Sequence, residues 1–136
     1  MFDRGQIRER FREQRPNMFG PAPKHAPVDR TEYLGDAEQC VIVQRGSKQV
    51  FADPIGFWLA CYDFDPVATD DWCEPLDPVD FDRILTTYAT SLPLDPAPRP
   101  RGTVLSAMLM HEDWYDVDVL CETEEEYFRF NWSTTA

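Results

Sequence analysis

The strongest hydrophobic pattern lies in the last third of the chain. In residues 126–133 the aromatic side chains of Phe128, Phe130 and Trp132 alternate with more polar ones, which is the two-residue period of a β-strand. Two similar segments precede it and are joined to it by short polar connections. Together they predict three antiparallel strands, at residues 103–110, 115–122 and 126–133, with the three aromatic side chains directed into a core.

A second pattern repeats with the period of an α-helix. Asp77 followed by Pro78 is a helix-start signal, because the Asp side chain caps free backbone N–H groups and proline fits the first helical position. Apolar side chains then recur every three or four positions, at Phe81, Ile84, Leu85, Tyr88 and Leu92. This spacing predicts a helix that ends near residue 91, before Pro93.

Two shorter helices are predicted in the first half of the chain. Residues 3–14 favour a helix that ends before Pro16, because proline interrupts helical hydrogen bonding. Residues 55–62 are almost entirely apolar and follow Asp53 and Pro54, which repeat the helix-start signal. The run is too short and too apolar for its period to distinguish a strand from a helix, and the start signal favours a short buried helix over residues 55–62.

The remaining segments predict a hairpin and a loop. Residues 40–52 favour a β-hairpin with residues 45–48 as its glycine-containing turn, and residues 63–76 are rich in acidic and turn-forming side chains. A chain of 136 residues with 43% apolar side chains is long enough to bury one core. We expect an α+β fold, a single domain whose antiparallel sheet combines the C-terminal three-stranded meander with this hairpin and packs with one or two helices.

Charge divides the chain into two parts. Residues 1–30 carry seven Lys or Arg against four Asp or Glu, a net charge of +3, and include four prolines. Residues 31–136 carry six basic side chains against twenty-one acidic ones, a net charge of −15. We expect a basic, Pro-rich N-terminal helix and arm over residues 1–30 and an acidic α+β domain over residues 31–136. Such a domain repels nucleic acid and anionic membranes and attracts a basic protein.

Candidate catalytic and metal-binding residues are few. His111, with Glu112, Asp113 and Asp116 close by in sequence, makes a hydrolase centred on this histidine one hypothesis. The sequence contains no Walker loop and no HExxH or GxSxG motif. Its four cysteines lack close spacing and its acidic clusters lack the glycine of an EF-hand, so we expect free thiols, no metal site and no cofactor.

Two segments combine carboxylates with large aromatic side chains. In the first, Asp116 and Asp118 alternate with valines, so both carboxylates are expected on one face of a strand beside Trp114 and Tyr115. The second is the run at residues 70–72. Because aromatic anchors beside charges are typical of protein-binding surfaces, we predict partner contacts by Asp70, Asp71, Trp72, Trp114, Tyr115, Asp116 and Asp118. The alternative interpretation of the same alternation is an ordinary solvent-facing side of a sheet.

These features favour a small acidic protein-binding inhibitor. The most specific hypothesis is an immunity protein that neutralises a bacterial toxin by covering a basic site. The alternatives are a nucleic-acid mimic or anti-defence protein, and a small enzyme centred on His111. No apolar run approaches the roughly 18 residues needed to span a bilayer, and residues 1–15 lack the apolar stretch of a signal peptide. We therefore expect a cytoplasmic location and a basic protein partner, with no nucleic-acid or membrane partner.

Overall fold

A six-stranded antiparallel sheet forms the centre of the structure, and helices pack on both of its faces. The computed structural model describes residues 2–14, 28–61, 73–94 and 96–135. The strands are β1 (Asp29–Leu34), β2 (Gln39–Ser47), β3 (Glu74–Leu76), β4 (Val104–Glu112), β5 (Asp116–Thr123) and β6 (Glu126–Thr134). The helices are α1 (Arg4–Gln14), α2 (Pro54–Ala60) and α3 (Pro78–Ser91). The strands lie in the order β1-β2-β6-β5-β4-β3, which confirms the predicted α+β class and the C-terminal meander.

Helix α3 covers one face of the sheet. Its start is the predicted one, because the Asp77 carboxylate accepts a hydrogen bond from the backbone N–H of Asp80 at 2.8 Å and Pro78 occupies the first turn. The apolar stripe of α3 packs on the strand side chains that alternate toward it. Phe81 meets the ring of Phe128 edge-on, with ring centres 6.4 Å apart. The helical period in the sequence therefore identified the side chains that join α3 to the sheet.

Helices α1 and α2 cover the opposite face of the sheet. Phe57 and Trp58 of α2 are buried in a second apolar cluster that includes Leu120 and Tyr127 from the strands. Phe128, Phe130 and Trp132 of β6 are buried on the α3 side, as predicted. The positions that alternate with them are buried as well, because the second face also lies beneath helices, whereas antiparallel sheets often leave one face in water.

The predicted hairpin over residues 40–52 is wrong. β2 continues as a strand through residues 45–47 and pairs with β6 along its whole length. Gly46 is therefore not a turn residue: a Cβ atom at this position would lie 2.5 Å from the ring of Phe57 and 2.8 Å from that of Phe51. Glycine lets α2 approach the sheet closely here. Turn propensity does not distinguish a glycine needed for a close helix–sheet contact from a glycine needed for a turn.

The sequence pattern missed the two edge strands. β1 pairs with β2 through a turn at residues 35–38. The segment expected as a loop, residues 63–76, ends in the three-residue strand β3, which contains Pro75. Edge strands are often short, charged or proline-containing, so they need not show the alternation that marks a buried strand.

The N-terminal helix packs on the rest of the protein. Phe2 and Ile7 are buried in the apolar cluster beside α2. Arg10 Nη2 lies 2.5 Å from Asp53 Oδ2, and its hydrogen bonding to this carboxylate lowers the pKa of Asp53 below its ordinary value. Most of the Pro-rich arm lies outside the described residues, and the division of the chain at residue 30 stays a prediction.

The Arg10–Asp53 ion pair predicts a pH-dependent contribution to stability. Replacing Arg10 by Ala should lower the free energy of unfolding by only about 0.5–1 kcal/mol at neutral pH, because both side chains are about one-third exposed and water screens the pair. Since folding lowers the pKa of Asp53, this contribution is present above the unfolded carboxyl pKa of about 3.9 and is lost as the pH falls through the lower folded value. Urea unfolding at neutral pH and in strong acid measures the difference. Arg8→Ala, on the exposed side of α1, is the control, and an equal loss at both pH values would contradict the prediction.

Candidate functional site

Two turns and the end of β6 meet at one end of the sheet. The backbone N–H of Thr134 donates to the carbonyl oxygen of Tyr115 in the β4–β5 turn at 2.9 Å, and its hydroxyl donates to the carbonyl oxygen of Ala37 in the β1–β2 turn at 2.8 Å. The hydroxyl of Thr135 donates to the carboxylate of Glu38. We call this end of the molecule, which comprises residues 35–38, 111–116 and 132–135, the acidic tip.

Carboxylates dominate the charge of the acidic tip. Its three segments contain Asp36, Glu38, Glu112, Asp113 and Asp116 and no Lys or Arg. Within the described parts of the chain, the ion pairs of these carboxylates are those made with His111. The acidic tip therefore concentrates negative charge that the basic side chains of the described residues leave largely uncompensated.

The opposite end of the sheet has a different arrangement of charge. There Lys48 forms an ion pair with Glu122, and Arg45 pairs with Glu126 at 2.5 Å. Both cations also lie over aromatic rings, with Arg45 5.0 Å from the centre of the Phe128 ring. Acidic side chains near this end are thus partly neutralised within the protein, which distinguishes it from the acidic tip.

A pair of exposed aromatic side chains projects from the acidic tip. Trp114 is 75% exposed and Tyr115 is 46% exposed, and their rings meet edge-on with centres 5.1 Å apart. The Asp113 carboxylate accepts hydrogen bonds from the backbone N–H groups of Tyr115 at 3.0 Å and Asp116 at 2.9 Å. These bonds fix the backbone of the turn from which the aromatic pair projects.

His111 joins the two carboxylates that flank this turn. Its Nε2 atom lies 2.8 Å from Asp113 Oδ2 and 3.8 Å from Asp116 Oδ2. Burial raises the pKa of Asp113, but hydrogen bonds from the Tyr115 N–H and from His111 outweigh it, so this pKa lies below its ordinary value. Burial raises the pKa of Asp116 despite a hydrogen bond from Asn131. Asp113 therefore retains its negative charge to lower pH than Asp116 does.

The β1–β2 turn of the acidic tip has an unusual backbone. Ala37 and Glu38 both adopt the left-handed conformation, with φ of 58° and 55°. The Gln39 N–H donates to the carbonyl oxygen of Asp36 at 3.2 Å and closes a turn of the kind that usually contains Asn and Gly. A charged residue thus occupies a position where glycine would be less strained, and such strain is often found at functional sites.

The prediction that Asp118 belongs to an exposed line of charge is wrong. Asp118 shares a strand face with Asp116, as the alternation indicated, because Asn131 donates hydrogen bonds to both carboxylates. That face, however, is covered at Asp118, whose residue surface is only 2% exposed. The two-residue period indicates which side chains share a face of the sheet, but it does not indicate whether other elements cover that face.

Asp118 instead belongs to a buried ion pair. Arg129 Nε lies 2.9 Å from Asp118 Oδ1 and Nη2 lies 2.6 Å from Oδ2, while Nη1 donates to Gln44 at 2.5 Å. The guanidinium group lies 5.3 Å from the centre of the Trp58 ring of α2. Burial also raises the pKa of the neighbouring Cys61 thiol to about 12. This cluster joins the sheet to α2 and does not contribute to the acidic tip.

The structure thus brings together three of the predicted contact residues, Trp114, Tyr115 and Asp116. Asp70, Asp71 and Trp72 lie outside the described residues. Sequence reasoning missed Asp36 and Glu38, which tertiary contacts bring to the same end of the sheet. Their local signal is a short acidic turn before the apolar run of β2, and such a turn is common on protein surfaces.

The ionisable neighbours of His111 in the described residues include two carboxylates of the acidic tip, Asp113 and Asp116. In residues 2–14, 28–61, 73–94 and 96–135, no three His, Cys, Asp or Glu side chains are grouped so that they could hold a metal ion. All four cysteines are free thiols, as expected.

Comparisons with protein-family models, with curated proteins and with solved structures find no match to this chain. Within the described ranges, none of the helices has both the length and the apolar character needed to cross a membrane.

Proposed function

We propose that this protein is a small acidic inhibitor that binds a basic protein through its acidic tip. One observation carries the proposal: Trp114 and Tyr115 are exposed side by side at the end of the sheet, on a turn flanked by carboxylates. Large aromatic side chains have few rotatable bonds, so they lose little conformational entropy on binding and are frequent energetic centres of protein interfaces. The surrounding charge selects a partner of opposite sign.

The charge of the acidic tip contributes mainly to the rate of association. Carboxylates around an aromatic anchor steer a basic partner toward the anchor and disfavour acidic competitors. Glu38 places a carboxylate at a left-handed position where glycine or asparagine is usual, and this carboxylate also accepts a hydrogen bond from Thr135 at the acidic tip. The aromatic pair then supplies the apolar area that is buried in the complex.

The most specific form of the proposal is an immunity protein that acts in the cytoplasm and neutralises a toxin. Toxins that act on nucleic acid need a basic active-site cleft, and an acidic protein can cover such a cleft. The free thiols are compatible with a reducing compartment. The acidic tip is also confined to one end of the sheet, whereas a nucleic-acid mimic needs carboxylates spaced along an extended surface.

Capture and binding experiments test the proposal. The tagged protein should retain a basic protein from the lysate of its source at low salt and release it as the salt concentration rises. Trp114→Ala should weaken the binding of that protein by about 10- to 100-fold, because an anchor of this kind contributes about 1.4–2.8 kcal/mol. Val79→Ala, at an exposed apolar position on α3, is the matched control and should leave the dissociation constant unchanged.

The same binding measurement separates the effect of the carboxylates on the association rate from the contribution of the aromatic pair to the bound complex. Asp36→Asn combined with Glu38→Gln should slow association and reduce its dependence on salt, with little change in the dissociation rate. Glu124→Gln combined with Glu125→Gln removes the same number of charges from the exposed β5–β6 turn and serves as the control. A captured protein that binds the Trp114→Ala variant and the wild type equally well would exclude the acidic tip as its binding site.

A further inference from the structure

Strand β1 leaves one edge of the sheet without a described partner. It pairs with β2 on one side, and none of the described strands lies on its other side. All of its residues except Tyr33 are exposed, and Leu34 is 78% exposed. An edge of this kind presents free backbone N–H and C=O groups to any strand that matches it.

The hydrogen bonds of the β1–β2 hairpin identify the groups that face outward. Gly35 donates to the carbonyl oxygen of Gln39 at 2.9 Å, and these two residues are opposite each other in the hairpin register. In an antiparallel pair, hydrogen-bonded positions alternate along the strand, so Tyr33 and Thr31 face β2 with their backbone groups. Arg30 and Glu32 consequently direct their N–H and C=O groups away from β2, toward the open edge.

We infer that β1 pairs in an antiparallel manner with β1 of a second copy of this chain, with the two-fold axis at Thr31. This register places Arg30 opposite Glu32 of the other copy, and the symmetry repeats the pair on the other side of the axis. All four of these residues direct their backbone groups outward, so each opposed pair can form two backbone hydrogen bonds. The interface therefore combines backbone pairing with charge complementarity.

Side chains beyond the central pairs also match in this register. Leu34 is opposite Val28 of the second copy, so an exposed leucine would meet a partly buried valine that already packs on the apolar cluster beside α2. The side chains of Arg30 and Glu32 are each 51% exposed and form an ion pair of 3.8 Å within the strand, and Glu32 also accepts a hydrogen bond from the Cys40 thiol. In the dimer the two ion pairs would lie side by side on one face, so each charge would gain a second neighbour of opposite sign. Cross-strand pairs of opposite charge and of apolar side chains are the ones that stabilise antiparallel sheets.

The neighbouring two-fold registers are disfavoured. Moving the axis to residue 30 places Arg30 opposite Arg30, and moving it to residue 32 places Glu32 opposite Glu32, so like charges meet at the centre. Charged side chains on an edge strand usually prevent pairing. In β1 the signs of the charges alternate, so pairing about Thr31 is attractive and pairing about residue 30 or residue 32 is repulsive. This pattern favours a defined dimer over open-ended association.

This inference does not rest on the proposed function, because Arg30 and Glu32 lie outside the acidic tip. Antiparallel pairing about Thr31 joins two sheets edge to edge and directs the two acidic tips in opposite directions. Each tip would then remain accessible, and one dimer could bind two molecules of a basic partner. Loss of the dimer and loss of partner binding are therefore separate outcomes.

Sedimentation velocity of the full chain over a micromolar to near-millimolar series tests the inference. The wild-type protein should show a reversible monomer–dimer equilibrium. Arg30→Glu alone and Glu32→Arg alone should each weaken dimerisation by about tenfold or more, because each change places like charges opposite each other twice. The double variant Arg30→Glu/Glu32→Arg should restore the dissociation constant to within about threefold of the wild-type value.

The matched control is Arg83→Glu, which makes the same charge change at an exposed position of α3. It should leave the equilibrium unchanged apart from a small effect of net charge. Circular dichroism of each variant separates loss of dimer from loss of fold. A wild-type protein that remains monomeric at the highest concentration, or a double variant as weak as the single ones, would overturn the inference.

Discussion

Replacing Arg129 by methionine should lower the free energy of unfolding by about 3–5 kcal/mol. The substitution leaves the carboxylate of Asp118, 2% exposed, without the guanidinium group that binds both of its oxygens at 2.9 and 2.6 Å. A buried charge that loses its partner retains the cost of leaving water and loses the compensating attraction. The change also removes the cation next to the Trp58 ring, so α2 loses one of its contacts with the sheet.

Urea unfolding of single and double variants measures this effect. The double variant Arg129→Met/Asp118→Leu should recover most of the loss, because it replaces the ion pair with apolar side chains and leaves no buried charge. Arg83→Met breaks an exposed ion pair with Asp80 and should change stability by less than about 1 kcal/mol. A double variant as unstable as Arg129→Met would show that the arginine acts through packing rather than through its charge.

The second large effect is expected for Gly46→Ala, which should lower the free energy of unfolding by about 3 kcal/mol. A methyl group at this position meets two aromatic rings that are themselves buried, at 2.5 Å from Phe57 and 2.8 Å from Phe51. Phe57 cannot withdraw easily because it stacks on Tyr127 with ring centres 5.7 Å apart, and Phe51 in turn meets Phe57 edge-on at 5.6 Å. The expected consequence is displacement of α2 from the sheet.

Gly56→Ala is the matched control for this prediction. Gly56 lies in α2, where an added Cβ would find its nearest neighbour at 3.4 Å, and alanine has a higher helix propensity than glycine. The control should therefore leave stability unchanged or raise it by up to about 1 kcal/mol. Thermal and urea unfolding of both variants provide the comparison. Equal stability of Gly46→Ala and the wild type would mean that α2 does not approach the sheet as closely as described.

Both substitutions weaken the attachment of α2 to the sheet and affect function only indirectly. The acidic tip is formed by other elements, the β1–β2 turn, the β4–β5 turn and the end of β6. Variants at Trp114 or Asp36 should accordingly change partner binding without changing stability. This separation makes the proposed function testable with folded protein.

Local signals in the sequence were sufficient to predict much of the fold. Asp77 and Asp53 cap helices that begin at the following prolines, since capping depends on only a few neighbouring residues. The meander followed from alternation, because side chains of a strand point to opposite faces in turn. In each of these elements the residues that determine the structure are close together along the chain.

Tertiary structure alone decided which of these side chains reach solvent and which meet each other. Asp116 and Asp118 look equivalent in sequence, yet one lies at the acidic tip and the other is buried against Arg129. Gly46 resembles a turn residue and instead accommodates Phe57. The physical reason is the same in each case: alternation and propensity act along the chain, whereas burial and charge pairing depend on elements that only the folded protein brings together. An acidic α+β domain thus follows from local sequence patterns, whereas packing determines where its charge is exposed.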